Sequence, residues 1–87
     1  MNKIKLALID DQQLFRQGLA SLIADTNDLE LLYEAETASQ LLTYLKQNTQ
    51  LPDILLLDMK LPDMNGNDLN KTIQKEYPSI KVLVLSM

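Results

Sequence analysis

Hydrophobic positions along this chain fall into two alternating rhythms. Residues 4–9, IKLALI, form a short and nearly continuous apolar run of strand length that stops at Asp10 and Asp11. Over residues 13–24 the apolar positions change to helical spacing, with Phe15, Leu19, Leu22 and Ile23 expected on one inward face. Gly18 lies inside that helix at a cost of about 1 kcal/mol relative to alanine, and a close helix–sheet contact is the expected reason for it. The cluster DTND, 25–28, reads as a turn. LELLYEA, 29–35, alternates only in part, as a half-exposed edge strand does. Thr37 followed by Gln40 fits a capping box and predicts a second helix with Ala38, Leu41, Leu42 and Leu45 inward. Pro52 closes the connection to a third strand, 53–57, and a loop follows it. Gly66 or Asn67 opens a third helix with Leu69, Thr72 and Ile73 inward, and Pro78 marks its end. Residues 80–85, IKVLVL, complete the pattern as a fourth strand.

Strands that alternate with helices in this way imply a parallel sheet with helices on both faces and right-handed crossovers. The most polar strand, the second, belongs at an edge; the strongly apolar first, third and fourth strands are expected inside. The expected fold is therefore α/β, flavodoxin-like, with strand order 2-1-3-4. The winding reverses between strands one and three, and ligands sit at such a reversal, outside the carboxyl ends of the strands.

Composition narrows the chemistry. The 87 residues make one domain at most. A net charge of -4, from 12 acidic and 8 basic residues with no basic run, argues against this chain holding nucleic acid by itself. The absence of Cys and His excludes disulfides, thiol nucleophiles, His/Cys zinc sites and Ser-His catalysis. No stretch reaches membrane-spanning length, and the start carries no cleavage-site pattern. A cytoplasmic protein without a membrane partner is expected.

What remains is acidic. Asp10 and Asp11 end the first strand and Asp58 ends the third, so the proposed order brings all three to one end of neighbouring strands. Taken singly, Asp10 or Asp11 is an ordinary helix cap and Asp58 a turn residue; their joint placement points to chemistry. Like charges held close raise one another's pKa. A hard cation with oxygen ligands relieves the conflict, which suits Mg²⁺, and a phosphoryl group drawn to the cation meets a free carboxylate as nucleophile.

On these residues the chain resembles a bacterial two-component response-regulator receiver domain of the LuxR/NarL type. LIDDQQLFRQGLASLI is similar to the opening strand, acidic pair and Arg-x-Gly-Leu helix of those receivers; DILLLDMKLPDMNG resembles their phosphoacceptor strand and loop, and VLVLS their fourth strand with its terminal hydroxyl. The resemblance covers the whole chain, 1–87. It implies that Asp58 accepts a phosphoryl group from a sensor histidine kinase and that Asp11 binds Mg²⁺ directly. Asp10 would support the metal through a water, and the backbone carbonyl of Lys60 would be a further ligand. It also implies that Ser86 is the switch hydroxyl, that Pro62 and Gly66 shape the loop, and that an output domain controls transcription on DNA. The Lys60 side chain has two readings, a modulator of phosphoryl lifetime or a solvated lysine. Met59, Leu61 and Met64 are expected to pack beneath the loop rather than to form a contact surface.

Set against that family, the chain stops after the fourth strand. The fifth strand with its lysine and aromatic switch residue, the last two helices and the output domain have no counterpart before Met87. The fourth strand is then an open apolar edge, an association hazard, and a homo-oligomer formed by edge pairing or a swap through it is expected. Loss of the lysine should weaken phosphorylation more than Mg²⁺ binding. The alternative is a dimerisation or interaction module without phosphorylation. A haloacid-dehalogenase-like phosphatase would need a second Asp where Lys60 stands, and the two glycines, Gly18 and Gly66, build no phosphate-cradling nucleotide loop.

Overall fold

The computed structural model describes residues 3–85. The apolar runs become β1 (Ile4–Ile9), β2 (Leu29–Ala35), β3 (Ile54–Asp58) and β4 (Lys81–Leu85); the helical segments become α1 (Gln13–Ala24), α2 (Ala38–Gln47) and α3 (Gly66–Glu76). All strand pairings are parallel, in the order β2-β1-β3-β4 expected from the hydrophobic pattern. β4 forms the open apolar edge expected of it, although its composition alone reads as an inner strand: among the described residues it pairs with β3 alone, and Leu83 and Val84 are each nearly half exposed.

One face of the sheet carries the larger core. Ala7, Ile9, Leu55 and Leu57 from the strands pack with Ala38, Leu41 and Leu45 of α2 and with Leu69 and Ile73 of α3. Strand side chains alternate between faces, so Leu6 and Leu8 turn to the opposite side, where α1 lies. The register of β1 against β2 shifts between Leu6 and Ala7: Leu6 pairs with Leu31, but Ala7 pairs with Tyr33. Leu32 is the extra residue, and it explains the broken alternation of β2. Leu29 and Leu31, opposite Ile4 and Leu6, serve the α1 side; Tyr33 and Ala35, opposite Ala7 and Ile9, join the α2 side.

The helices follow their end signals. Thr37 caps α2 by accepting the Gln40 N–H, while the Gln40 side chain reaches back to the Glu36 N–H, one residue before the expected partner. Asn65 caps α3 by accepting the Asn67 N–H at 2.7 Å, and α3 ends before Pro78.

α1 departs from expectation in two ways. Of the four residues expected inward, Ile23 is buried and Leu19 half-buried, but Phe15 and Leu22 are 40% and 66% exposed. The helix leans toward β2 and leaves a groove beside it, lined by Leu6, Leu19, Leu22, Ile54, Leu56 and Leu83. The apolar stripe thus borders an open channel instead of a closed core. Gly18 makes no close contact: a Cβ built there would meet nothing within 4 Å. No helix among the described residues is long and apolar enough to cross a membrane.

Candidate functional site

The site forms where the sheet's winding reverses. β1 and β3 run side by side with Ile9 opposite Leu57, so the residues that follow each strand emerge together. Asp10 is buried; its N–H donates to the Ala35 carbonyl at 3.1 Å, and its Oδ1 accepts the Gln12 N–H at 2.8 Å. Asp58, also buried, is the last residue of β3, one beyond the expected end of that strand, and its Oδ1 accepts the Lys60 N–H at 3.1 Å. Asp11 is exposed beside them. Oxygens of the three carboxylates lie within 4.8 Å of one another. They open into a cleft of about 610 Å³ that Gln12, Phe15, Lys60, Val84 and Leu85 also line.

Burial pushes the Asp10 carboxyl above its ordinary value; the Gln12 amide opposes this, and the charges of Asp58 and Asp11 add to it. A concentration of oxygen donors that repel one another is the donor set a hard divalent cation takes. The chemistry of these residues therefore fits Mg²⁺.

The loop after Asp58 turns back on itself. Lys60 and Asn65 form an isolated antiparallel bridge, and the Gly66 N–H donates to the Met59 carbonyl at 3.2 Å. A Cβ at Gly66 would come within 2.7 Å of Met59 Cα. The glycine is required here for close approach, not for left-handed backbone, since no described residue has positive φ. Leu61 and Met64 pack against the core beneath the loop as expected; Met59 is half-buried with its sulfur against Gly66, and Pro62 and Lys60 are exposed. Ser86 lies outside the described residues.

Two residues of the site's framework went unrecognised in the sequence. Arg16 is buried on α1 at 8% exposure; its Nη1 donates to the Asp10 carbonyl at 2.7 Å, and Nε and Nη2 lie 3.6 Å from Glu34 and Glu36. Its spacing of seven from Ile23, a charge on the inward face, was the available signal. Asp63, in the loop, accepts the Ala38 N–H at 2.9 Å on Oδ1 and the Ser39 N–H at 3.0 Å on Oδ2. These contacts fasten the β3–α3 loop to the start of α2 and hold the Asp63 carboxyl below its ordinary value. No local pattern announces a contact across 24 or 25 residues.

Residues 6–87 match the response regulator receiver domain family. The transcriptional regulatory protein DegU of Brevibacillus brevis is 34% identical over 86 residues, which are 99% of this chain and 36% of DegU. The response regulator protein VraR of Staphylococcus aureus is 31% identical over 83 residues, 95% of this chain and 39% of VraR. The signal receiver domain of the putative response regulator NarL from Mycobacterium tuberculosis superposes with a TM-score of 0.87 at 27% identity, covering 99% of this chain and 68% of that one. RcsB in its DNA complex superposes at 0.90 with 22% identity, over 99% of this chain and 45% of RcsB, a likeness of fold. The chain thus spans under two fifths of the length of these curated relatives. It belongs to the response regulator receiver domain family, among receivers of the LuxR/NarL type.

Proposed function

We propose that this domain is a phosphoacceptor: Asp58 takes a phosphoryl group from a sensor histidine kinase with Mg²⁺ present, and the resulting state controls an output domain that acts on DNA. The observation that carries this is the convergence of Asp58 with Asp10 and Asp11, their oxygens within 4.8 Å, at the mouth of an open cleft. A carboxylate oxygen of Asp58 attacks phosphorus, the bond to the donor's imidazole nitrogen breaks, and an acyl phosphate forms. Asp11, exposed to solvent, and Asp10, buried behind it, would hold the ion with Asp58 and the Lys60 carbonyl. Mg²⁺ supplies charge neutralisation for the incoming phosphoryl oxygens. The Lys60 N–H bond to Asp58 Oδ1 fixes the carboxylate's orientation, and burial of Asp58 limits its solvation. Ser86 is assigned the switch hydroxyl by the family resemblance. Relatives named as transcriptional regulators, and RcsB bound to DNA, support an output in transcription, placed outside this chain.

The test is incubation with a small acyl phosphate and MgCl2, read by intact mass. The chain should gain one phosphoryl group, lost with EDTA and with Asp58→Asn; absence of incorporation into the parent would refute the reading.

A second reading has its own observation: the exposed Leu83 and Val84 on edge strand β4. In it the domain acts as a pairing module, joining a second copy through β4 by edge pairing or a swap. Self-association that ignores Asp58→Asn but is lost with Leu83→Lys would favour it.

A further inference from the structure

We propose that Asp63 is a positioning residue for the site: it clamps the loop carrying Lys60 onto the first turn of α2, so that the metal-side arm and that helix hold their places together.

The geometry is specific. The two carboxylate oxygens of Asp63 divide between two successive amides of α2, Ala38 N–H at 2.9 Å and Ser39 N–H at 3.0 Å. These are among the amide donors at the helix start that no intrahelical carbonyl can reach. Thr37 already serves the Gln40 N–H, so local capping and the clamp use different donors. α2 therefore does not need Asp63 to have a cap. The loop has fewer holds. Between Asp58 and Gly66 its backbone is closed by the Lys60–Asn65 bridge, internal to the loop, and by the Gly66 N–H to Met59 bond, which joins it only to the helix that follows. Leu61 and Met64 add apolar contact beneath it. Among the described residues the Asp63 carboxylate is the polar tie from the loop to an element other than the strand and helix it directly connects. It lies three residues from Lys60, whose N–H holds Asp58 Oδ1. Release of Asp63 thus frees the arm that orients the acceptor carboxylate.

α2's start is braced from the other side of the site as well. The Asp10 N–H bonds the Ala35 carbonyl, and Arg16 reaches from the Asp10 carbonyl to Glu34 and Glu36. The segment from Glu34 to Ser39 consequently touches both arms of the acidic cluster, one through Arg16 and one through Asp63.

The clamp is tested by amide hydrogen exchange, read by NMR on the parent protein, Asp63→Ala, Asp63→Asn and the double variant Asp63→Ala/Ser39→Asp. The added aspartate restores a favourable charge at the helix start without touching the loop. Exchange of the Lys60 and Gly66 amides should rise at least tenfold in Asp63→Ala and less in Asp63→Asn, which keeps an acceptor. In the double variant the α2 amides of Leu41 and Leu45 should regain parental protection while the two loop amides stay fast. Parental loop exchange in both single variants overturns the proposal, as does recovery of the loop amides with Ser39→Asp, which would make Asp63 a helix cap and nothing more. The consequence for the metal rests on the phosphoacceptor reading. Calorimetric titration with MgCl2 should give a Kd at least fivefold weaker in Asp63→Ala and in the double variant. A parent that binds no Mg²⁺ would sink that reading, while the exchange data would still decide the clamp.

Discussion

Asp10→Asn should make this protein more stable and a poorer metal binder at once. The Asp10, Asp11 and Asp58 oxygens lie within 4.8 Å of one another. Two unit charges at such a separation repel by roughly 3 kcal/mol at an effective dielectric of about 20, and by under about 1 kcal/mol in bulk water. The buried pair, Asp10 and Asp58, sits nearer the first limit; the exposed Asp11 sits nearer the second. An amide in place of the Asp10 carboxylate keeps an acceptor for the Gln12 N–H and turns a repelling neighbour of Asp58 into a donor. We expect a gain of about 1–3 kcal/mol at neutral pH without divalent metal. At about 4–8 °C per kcal/mol for a domain of this size, Tm should rise by roughly 4–24 °C. The pH dependence has a definite sign. A carboxyl raised above its ordinary 3.8 holds its proton more tightly folded than unfolded. The parent therefore loses stability as pH climbs from 3.8 through the raised value, and the loss is complete above it. The variant escapes that loss, so its advantage should be full at about pH 7 and absent at about pH 3. Melts followed by circular dichroism at both pH values, with EDTA and then with MgCl2, provide the assay. Mg²⁺ should raise the parent's Tm more than the variant's. A variant no more stable than the parent at neutral pH, or equally favoured at both pH values, would refute the reasoning.

Other outcomes follow from the framework. Arg16→Met should destabilise by about 2–3 kcal/mol, chiefly through the lost 2.7 Å charged hydrogen bond to the Asp10 carbonyl. The ion pairs at 3.6 Å to the well-exposed Glu34 and Glu36 add at most about 1 kcal/mol; urea titration of the variant and of Glu34→Gln separates the two. The glycines should respond in opposite directions. Gly18→Ala, in open space within a helix, should stabilise by up to about 1 kcal/mol. Gly66→Ala, whose methyl would meet backbone at 2.7 Å, should cost about 1–3 kcal/mol and disturb the Lys60 amide resonance.

Much of this architecture was legible because apolar runs of strand and helix length are separated by strong breakers. Thr37, Pro52, Gly66 and Pro78 each stand at or near an observed boundary. Strand order followed from a single comparison, the polar β2 against its apolar neighbours. The acidic cluster then followed from order alone, since adjacent parallel strands deliver their last residues to one place. What stayed hidden was tertiary. A stripe such as Phe15, Leu19 and Leu22 looks the same whether it is covered or borders an open groove. Gly18 suggested a contact that α1 does not make. Asp63 looks like any loop aspartate until α2 is brought against it.

The extra residue in β2 has a consequence for how this edge tolerates change in length. Outer strands commonly absorb an insertion or deletion by sliding. Here Leu32 lets one strand present Leu29 and Leu31 to one helical layer and Tyr33 and Ala35 to the other, with Glu34, opposite Leu8, turned toward Arg16. Excising that one residue would let both halves pair in unbroken register, with every other side chain still on its present face. Removing a residue from the evenly paired half that follows would instead turn the residues beyond the gap to the opposite layer, so codon 32 should accept deletion where codons 33 and 34 should not.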